Sequence, residues 1–314
     1  PLAAPGQGKS GGMNVYVLQL AREFACRGLS VDVFTRAHDP ADPTVVDLQP
    51  GARVVHLKAG PYATSKRNLF DYIPAFLREL SRFHLSEETS YDLVHSHYWL
   101  SGRVGMNLSK MWAVPHVTTF HTLAKTKMRA LAEERDLERR GAAERLIIHD
   151  VDAMIVSTEE EKHDLVHLYG AQADKINVVP AGVDLELFQP MDRQAAREVL
   201  GIREKRIILY VGRIEPLKGI DILLRAVALL EHTEDTRVLI VGGNPGNDAE
   251  LDRLKALAVQ LNIQHIVTFT GAVRHTELAK YYGAADAFVL PSHSESFGLA
   301  ALEAMASARP VIVS

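Results

Sequence analysis

Glu295 and Glu303 sit in the surroundings that most sharply suggest chemistry. Pro291-Ser-His-Ser-Glu-Ser-Phe-Gly298 reads as a loop after a short apolar strand, and Gly298-Leu-Ala-Ala-Leu-Glu-Ala-Met-Ala306 as a strongly apolar helix. A carboxylate on so apolar a helix is costly unless it accepts hydrogen bonds. A ribose diol would supply Glu303 with two donors. Glu295, roughly two helical turns away at 3.6 residues per turn, could accept from sugar hydroxyls. The plainer readings are a structural salt bridge at Glu303 and an N-terminal helix carboxylate at Glu295. Arg213 and Lys218, in Val211-Gly-Arg-Ile-Glu-Pro-Leu-Lys-Gly219, follow another strand. Two cations at the C-terminal end of a parallel strand lie where such folds place ligands, and there they could neutralise a diphosphate leaving group. The plain alternative is two surface cations on a loop.

Glycines 6, 8, 11 and 12, in Pro5-Gly-Gln-Gly-Lys-Ser-Gly-Gly12, open directly into a helix. Backbone N–H groups there favour an anion, although the run fits neither the P-loop nor the dinucleotide fingerprint. His121, in Thr118-Thr-Phe-His-Thr122, ends a strand and would face a ligand cleft. His95 and His97 share one strand face, and with no third ligand in sight their reading is packing and hydrogen bonding. Asp150-Val-Asp152 imitates a metal-binding Asp-x-Asp, but it lies between a helix and a strand, where short polar residues cap and turn the chain. No metal site is read there. The charged run from Glu133 to Arg140 reads as a solvated helix face with i,i+4 pairs.

The elements that must position these residues follow from hydrophobic periodicity. Strands are expected at 31–35, 92–95, 116–120 and 154–157, with helices near 13–27, 68–84, 101–111, 128–149 and 159–169. Strand followed by helix, repeated, marks a parallel sheet covered on both faces. After Pro180–Pro190, the best hinge candidate, the pattern restarts. Its strands are expected at 206–211, 237–241, 265–269, 286–290 and 310–314, and its helices near 219–231, 248–261, 275–283 and 298–308. The expectation is an α/β chain of two Rossmann-like, doubly wound domains, 1–180 and 181–314, facing across a cleft.

Composition narrows the function. The 314 residues suggest about two domains at roughly 150 residues each. Thirty-five basic against thirty-nine acidic side chains leave a net charge of −4, so no basic excess argues for nucleic acid or anionic lipid. No uncharged apolar run approaches the ~18 residues of a membrane span, so no integral membrane contact is expected. Cys26 is the only cysteine, which excludes an internal disulfide and a cysteine-based zinc site and suits a cytoplasmic location. The chain opens at Pro1 without a methionine and stops in the strand-like Pro310–Ser314, so a longer natural chain is expected.

In combination these residues resemble the retaining GT-B glycosyltransferases of sequence family 4, also called group 1. Glu295-x7-Glu303 is similar to that family's paired glutamates, and Arg213-x4-Lys218 to its diphosphate-binding pair. Ser10-Gly-Gly-Met-Asn-Val-Tyr16, His95-Ser-His-Tyr-Trp-Leu-Ser-Gly102 and Phe120-His-Thr-Leu123 resemble further family segments, so the likeness spans nearly the whole chain. Within the family, Gly11-Gly-Met-Asn14 and the 95–102 segment look most like the D-inositol-3-phosphate glycosyltransferases of mycothiol synthesis. Lys66–Phe76 and Arg139–Leu146 look more like sucrose-phosphate synthases. Lys9 departs from both subgroups, which usually carry an acidic residue there.

The resemblance implies transfer of a hexosyl group, with retention, from a nucleotide sugar to a phosphorylated polyol or sugar. The acceptor would be inositol 3-phosphate or, alternatively, fructose 6-phosphate, and UDP is favoured by resemblance alone. It implies donor contacts from Gly12, Arg213, Lys218, Arg274, Glu295, Phe297, Gly298 and Glu303. Acceptor contacts would come from Asn14, Lys66, Tyr98, Thr122 and Arg140, with His121 beside the reacting sugar. For Lys66, Arg139 and Arg140 the plain alternative is surface charge. Front-face displacement needs no metal and no cofactor beyond the donor, because two side-chain cations meet the leaving group. Double displacement with Glu295 as nucleophile is the mechanistic rival. A homodimer is left open. The competing classes are a non-catalytic nucleotide-sugar-binding protein or inactive fragment, and a GT-B epimerase that turns over donor without acceptor.

Overall fold

The computed structural model describes residues 11–130, 137–243, 249–295 and 297–314. The chain divides into two compact units, Gly12–Pro180 and Ala181–Ser314. Among the described residues no helix is long and apolar enough to cross a membrane.

The first unit runs α1 (Gly12–Cys26), β1 (Val31–Arg36), β2 (Val45–Gln49), β3 (Ala52–Leu57), α2 (Ile73–Glu87), β4 (Val94–His97) and α3 (Trp99–Trp112). It continues with β5 (His116–Thr119), α4 (Ala124–Ala130), α5 (Leu137–Asp150), β6 (Ala153–Val156), α6 (Glu159–Tyr169) and β7 (Ile176–Val178). Strands β4-β5-β6-β7 form one sheet, parallel throughout, and β1-β3-β2 form another in which β2 runs antiparallel to β3. The hairpin β2–β3 was not expected, because only the strand-helix alternation was read there. Of the helix expected at 128–149, α4 and α5 hold the described parts, and 131–136 lie outside the described residues.

The second unit is α7 (Arg193–Leu200), β8 (Arg206–Val211), α8 (Ile220–Val227), β9 (Thr236–Val241), α9 (Ala249–Gln260) and β10 (Val267–Gly271). Then come α10 (Leu278–Ala284), β11 (Ala287–Leu290), α11 (Leu299–Ala306) and β12 (Val311–Val313). Its five strands lie in the order β10-β9-β8-β11-β12, all parallel. Helices on both faces explain the near-continuous apolar runs: Leu209 and Tyr210, neighbours that point to opposite faces of β8, are both fully buried. Helix α8 buries Ile220, Leu223, Leu224 and Val227, the i, i+3, i+4, i+7 stripe, at about 1.5–3 kcal/mol per large side chain.

Sheet topology decides where chemistry can sit. In the second unit the chain builds outward from β8 through β9 to β10, then returns to the other side of β8 with β11. The loops after β8 and β11 therefore flank a topological switch point, where open parallel sheets bind ligands. In the first unit β4 and β5 are parallel neighbours, so the turns after them leave the same edge side by side.

Candidate active site

At the switch point of the second unit, Arg213 and Lys218 follow β8, and Glu295 follows β11. Lys218 Nζ lies 2.5 Å from Glu295 Oε2, an ion pair between residues 77 apart in sequence. Ser292 Oγ is 3.5 Å from the same oxygen. Arg213 Nη1 pairs with Glu215 Oε1 at 2.5 Å. One contact joins the two loops and another braces the loop after β8. The N–H of His293 donates to the carbonyl of Leu217 at 2.9 Å, and the buried Tyr210 hydroxyl donates to the carbonyl of Arg213 at 2.9 Å. The two cations are thus held by the fold while their charges face carboxylates that an incoming anion can displace.

Glu303, on α11, is 8% exposed and has one partner within the unit at each oxygen. His275 Nε2 lies 2.8 Å from Oε1 and the Tyr282 hydroxyl donates to Oε2 at 2.8 Å. A carboxylate has about four lone-pair sites, so two remain after these bonds. Burial, together with this carboxylate, raises the Tyr282 pKa well above its ordinary value, so the phenol stays a donor. Gly298, buried at the start of α11, adopts φ 77°. Phe297 is half-buried, and Arg274 is exposed just before the 3₁₀ turn His275–Glu277.

In the first unit the turns after β4 and β5 carry Tyr98, His121 and Thr122. Tyr98 and His121 both hold positive φ, 76° and 60°, a costly conformation for side-chain-bearing residues. The Tyr98 N–H donates to the carbonyl of Thr119 at 2.9 Å and locks the two turns together. Arg140, from α5, reaches this edge: its Nη2 donates to Thr122 Oγ1 at 2.9 Å and to the Thr122 carbonyl, and its guanidinium carbon lies 4.9 Å from the Tyr98 ring centre. The structure therefore brings Tyr98, Thr122 and Arg140 into one cluster. Arg140 is 4% exposed, which corrects the solvated-face reading of its end of the charged run; Glu138 and Arg139 are exposed as expected. Arg139 pairs with Asp71 at 3.0 Å and lies 4.1 Å above the Phe70 ring, which stacks on Trp99. These contacts dock the 3₁₀ turn Lys66–Tyr72, and with it the backbone of Lys66, against α5 and α3.

Three histidines line up along the same edge, their rings tilted against one another. His97 Nδ1 and His121 Nε2 are 3.0 Å apart, His95 Nε2 meets Thr119 Oγ1 at 3.0 Å, and Tyr16 lies edge-on to both His97 and His121. Burial lowers the pKa of His95 and His121 to about 4 and holds that of His97 well below its ordinary value. All three are neutral at pH 7, so within the His97–His121 contact one ring donates and the other accepts. That couples the His121 tautomer to that of His97, a role the sequence reading placed only under hydrogen bonding.

These rings make stability acid-sensitive. Burial also holds His116 near pKa 4. For a folded-state pKa below the unfolded value of about 6.5, stability is fully present above 6.5 and is lost as pH falls through the folded pKa, because only the unfolded chain takes up the proton. Urea melts at pH 7 and pH 5 should differ by about 2 kcal/mol for each of His95, His116 and His121. An unchanged midpoint would contradict the burial assigned to them.

Asp150 pairs with Lys110 at 2.7 Å and Asp152 accepts the His116 N–H at 2.7 Å, so both serve the turn. Among the described residues no group of three or more His, Cys, Asp or Glu is arranged to hold a metal ion. Asn14 is buried on α1, and Gly12 begins that helix. Most of the glycine run, with Lys9, lies outside the described residues. His275, Tyr282, Glu144 and Tyr169 escaped the sequence reading. Of these only Glu144, four residues after Arg140, carried a signal.

Comparison with known proteins defines the class. The family model for Glycosyltransferase Family 4 matches residues 10–187, and that for Glycosyl transferases group 1 matches residues 192–314. The D-inositol 3-phosphate glycosyltransferase of Kribbella flavida is 45% identical over 323 residues, covering 99% of this chain and 76% of that protein. The structure of sucrose-phosphate synthase from Thermosynechococcus elongatus superposes with a TM-score of 0.90 at 36% identity, over 99% of this chain and 77% of that one. HepE of Anabaena, in a complex with UDP and glucose, shares the fold at 20% identity, with a TM-score of 0.75 over 98% of this chain and 78% of its own. The chain is a GT-B glycosyltransferase and belongs to the group 1, family 4 enzymes.

Proposed function

We propose that this enzyme moves a hexosyl group from a UDP-sugar, with retention, to a phosphorylated polyol, inositol 3-phosphate being the first candidate. The observation that carries the reading is the switch-point cluster of Arg213, Lys218 and Glu295. As the bond from sugar to diphosphate breaks, charge grows on the departing phosphate. Two fixed cations lower that barrier more than they lower the ground state. The diphosphate would replace Glu295 as the partner of Lys218, and the released carboxylate could then accept from the sugar hydroxyls. Glu303 would offer its remaining lone pairs to the ribose. Gly12, Arg274, Phe297 and Gly298 complete the proposed donor set. The UDP complex of a protein sharing this fold supports the choice of nucleotide.

On the first unit, we assign the acceptor to Asn14, Lys66, Tyr98, Thr122 and Arg140. His121, neutral and hydrogen-bonded to His97, would hydrogen-bond the reacting sugar, and no metal takes part in this scheme. Division of labour follows the two units: apart from Gly12 and His121, which would reach the donor, residues 1–180 hold acceptor and 181–314 hold donor. Location in the cytoplasm suits such substrates.

Fructose 6-phosphate is the alternative acceptor, favoured by the sucrose-phosphate synthase likeness. A screen pairing UDP-glucose and UDP-N-acetylglucosamine with inositol 3-phosphate and fructose 6-phosphate tests both. Turnover with inositol 3-phosphate exceeding that with fructose 6-phosphate is the expected result; the reverse order would move the enzyme to the alternative. Binding of nucleotide sugar without transfer to either acceptor would count against the proposal, as would donor turnover that ignores acceptor.

A further inference from the structure

Glu144 lies on α5 one turn beyond Arg140, and its side chain is fully buried. Its Oε1 accepts from Arg140 Nε at 2.7 Å, and its Oε2 accepts from the Tyr169 hydroxyl. The N–H of Ala124, the first residue of α4, points at both oxygens, at 3.2 and 3.0 Å. The Tyr169 hydroxyl in turn accepts the N–H of Lys125 at 3.0 Å. One buried carboxylate therefore binds the base of the guanidinium, the start of the helix after the Thr122 turn, and a tyrosine from α6.

A buried ion pair is a poor stabilising device, because desolvation of two charges offsets most of their attraction. What such a pair supplies is orientation. With Nε on Glu144 and Nη2 on Thr122, the guanidinium plane is fixed over Tyr98, and among the described residues Nη1 meets no partner. The two N–H groups of Nη1 remain for an external anion. Without Glu144 the arginine could rotate about its side chain, and the Thr122 turn would lose the carboxylate that anchors Ala124.

We propose that Glu144, supported by Tyr169, is a positioning residue that holds Arg140 and the Thr122 turn in the geometry needed to receive the anionic group of the acceptor. The inference rests on the assignment of Arg140 to the acceptor phosphate and adds the residues that aim it. Neither Glu144 nor Tyr169 touches substrate, so their effect should fall on acceptor KM.

The test compares wild type, Glu144→Gln and Tyr169→Phe with a phosphorylated acceptor and its dephosphorylated counterpart. Thermal melting of each variant is measured alongside. Misplacement of a binding group by about 1 Å can cost 100-fold, so Glu144→Gln should raise KM for the phosphorylated acceptor by about tenfold or more. KM for the nucleotide sugar and for the dephosphorylated acceptor should stay within about twofold, and inorganic phosphate should inhibit the variant more weakly than wild type. Tyr169→Phe, which removes one hydroxyl, should move the same KM in the same direction by less. If Glu144→Gln does not fold, Tyr169→Phe alone carries the comparison. An unchanged KM for phosphorylated acceptor in a folded variant would overturn the proposal. A wild type that ignores the phosphate altogether would instead overturn the assignment of Arg140, and the inference with it.

Discussion

Lys218→Met should lower turnover by about 10²–10³ while leaving the fold intact, the effect of removing one preorganised group that meets developing charge. Lys218 is only 14% exposed at its side chain and is oriented by Glu295, so solvent cannot substitute for the ammonium. The loss should appear in kcat as well as in kcat/KM, because the charge it meets is greatest in the transition state. Arg213→Ala should behave similarly, with a larger share in donor KM, since Arg213 is more exposed and is held by Glu215 and by its backbone contact with Tyr210. Single-turnover rates and melting curves measured together check the expectation. Wild-type chemistry in a folded Lys218→Met enzyme would sink the leaving-group role.

Gly219→Ala should be a severely damaging conservative change near the site, destabilising by roughly 2–5 kcal/mol. Gly219 holds φ 61°, and a Cβ there would fall 1.9 Å from the carbonyl oxygen of Pro291. Backbone cannot swing aside as a side chain can. The added methyl would force apart the loop bearing Lys218 and the loop bearing Glu295, so activity should fall with stability. Gly170→Ala is the control: its φ is 72°, but no atom lies within 4 Å of the added Cβ, so only the left-handed cost of about 1–2 kcal/mol applies. Equal melting shifts in the two variants would mean that the close approach at Pro291 is not a constraint.

Much of this site was readable from residue types and spacing. Strand-helix alternation located β8, β11 and the loops after them, because fully buried parallel strands are apolar along their whole length. Glu303 announced itself as a carboxylate on an apolar helix. Its actual partners, His275 and Tyr282, come from a different element and left no periodic trace. The Lys218–Glu295 pair depends on β8 and β11 being neighbours, and strand order is a property of packing that a linear pattern does not contain. Arg140 was harder. An Arg-x3-Glu pair on a helix looks the same whether it lies in water or in a core, and the neighbouring charges Glu138 and Arg139 suggested water. The deciding contacts come from Tyr169 on α6 and from the Thr122 turn, both brought in by tertiary folding. The β2–β3 hairpin was missed for a similar reason, since alternation read as strand-helix units has no place for an antiparallel insertion.

The central claim is that hexosyl transfer with retention to a phosphorylated acceptor is carried by residues at the strand ends of the two units. Its most direct test is a proton NMR time course with a UDP-sugar and inositol 3-phosphate, run beside unphosphorylated inositol. The account predicts an α-linked product whose anomeric signal grows in step with UDP release, and little product without the phosphate. A β-linked product, or UDP release at the same rate with no acceptor present, would contradict it.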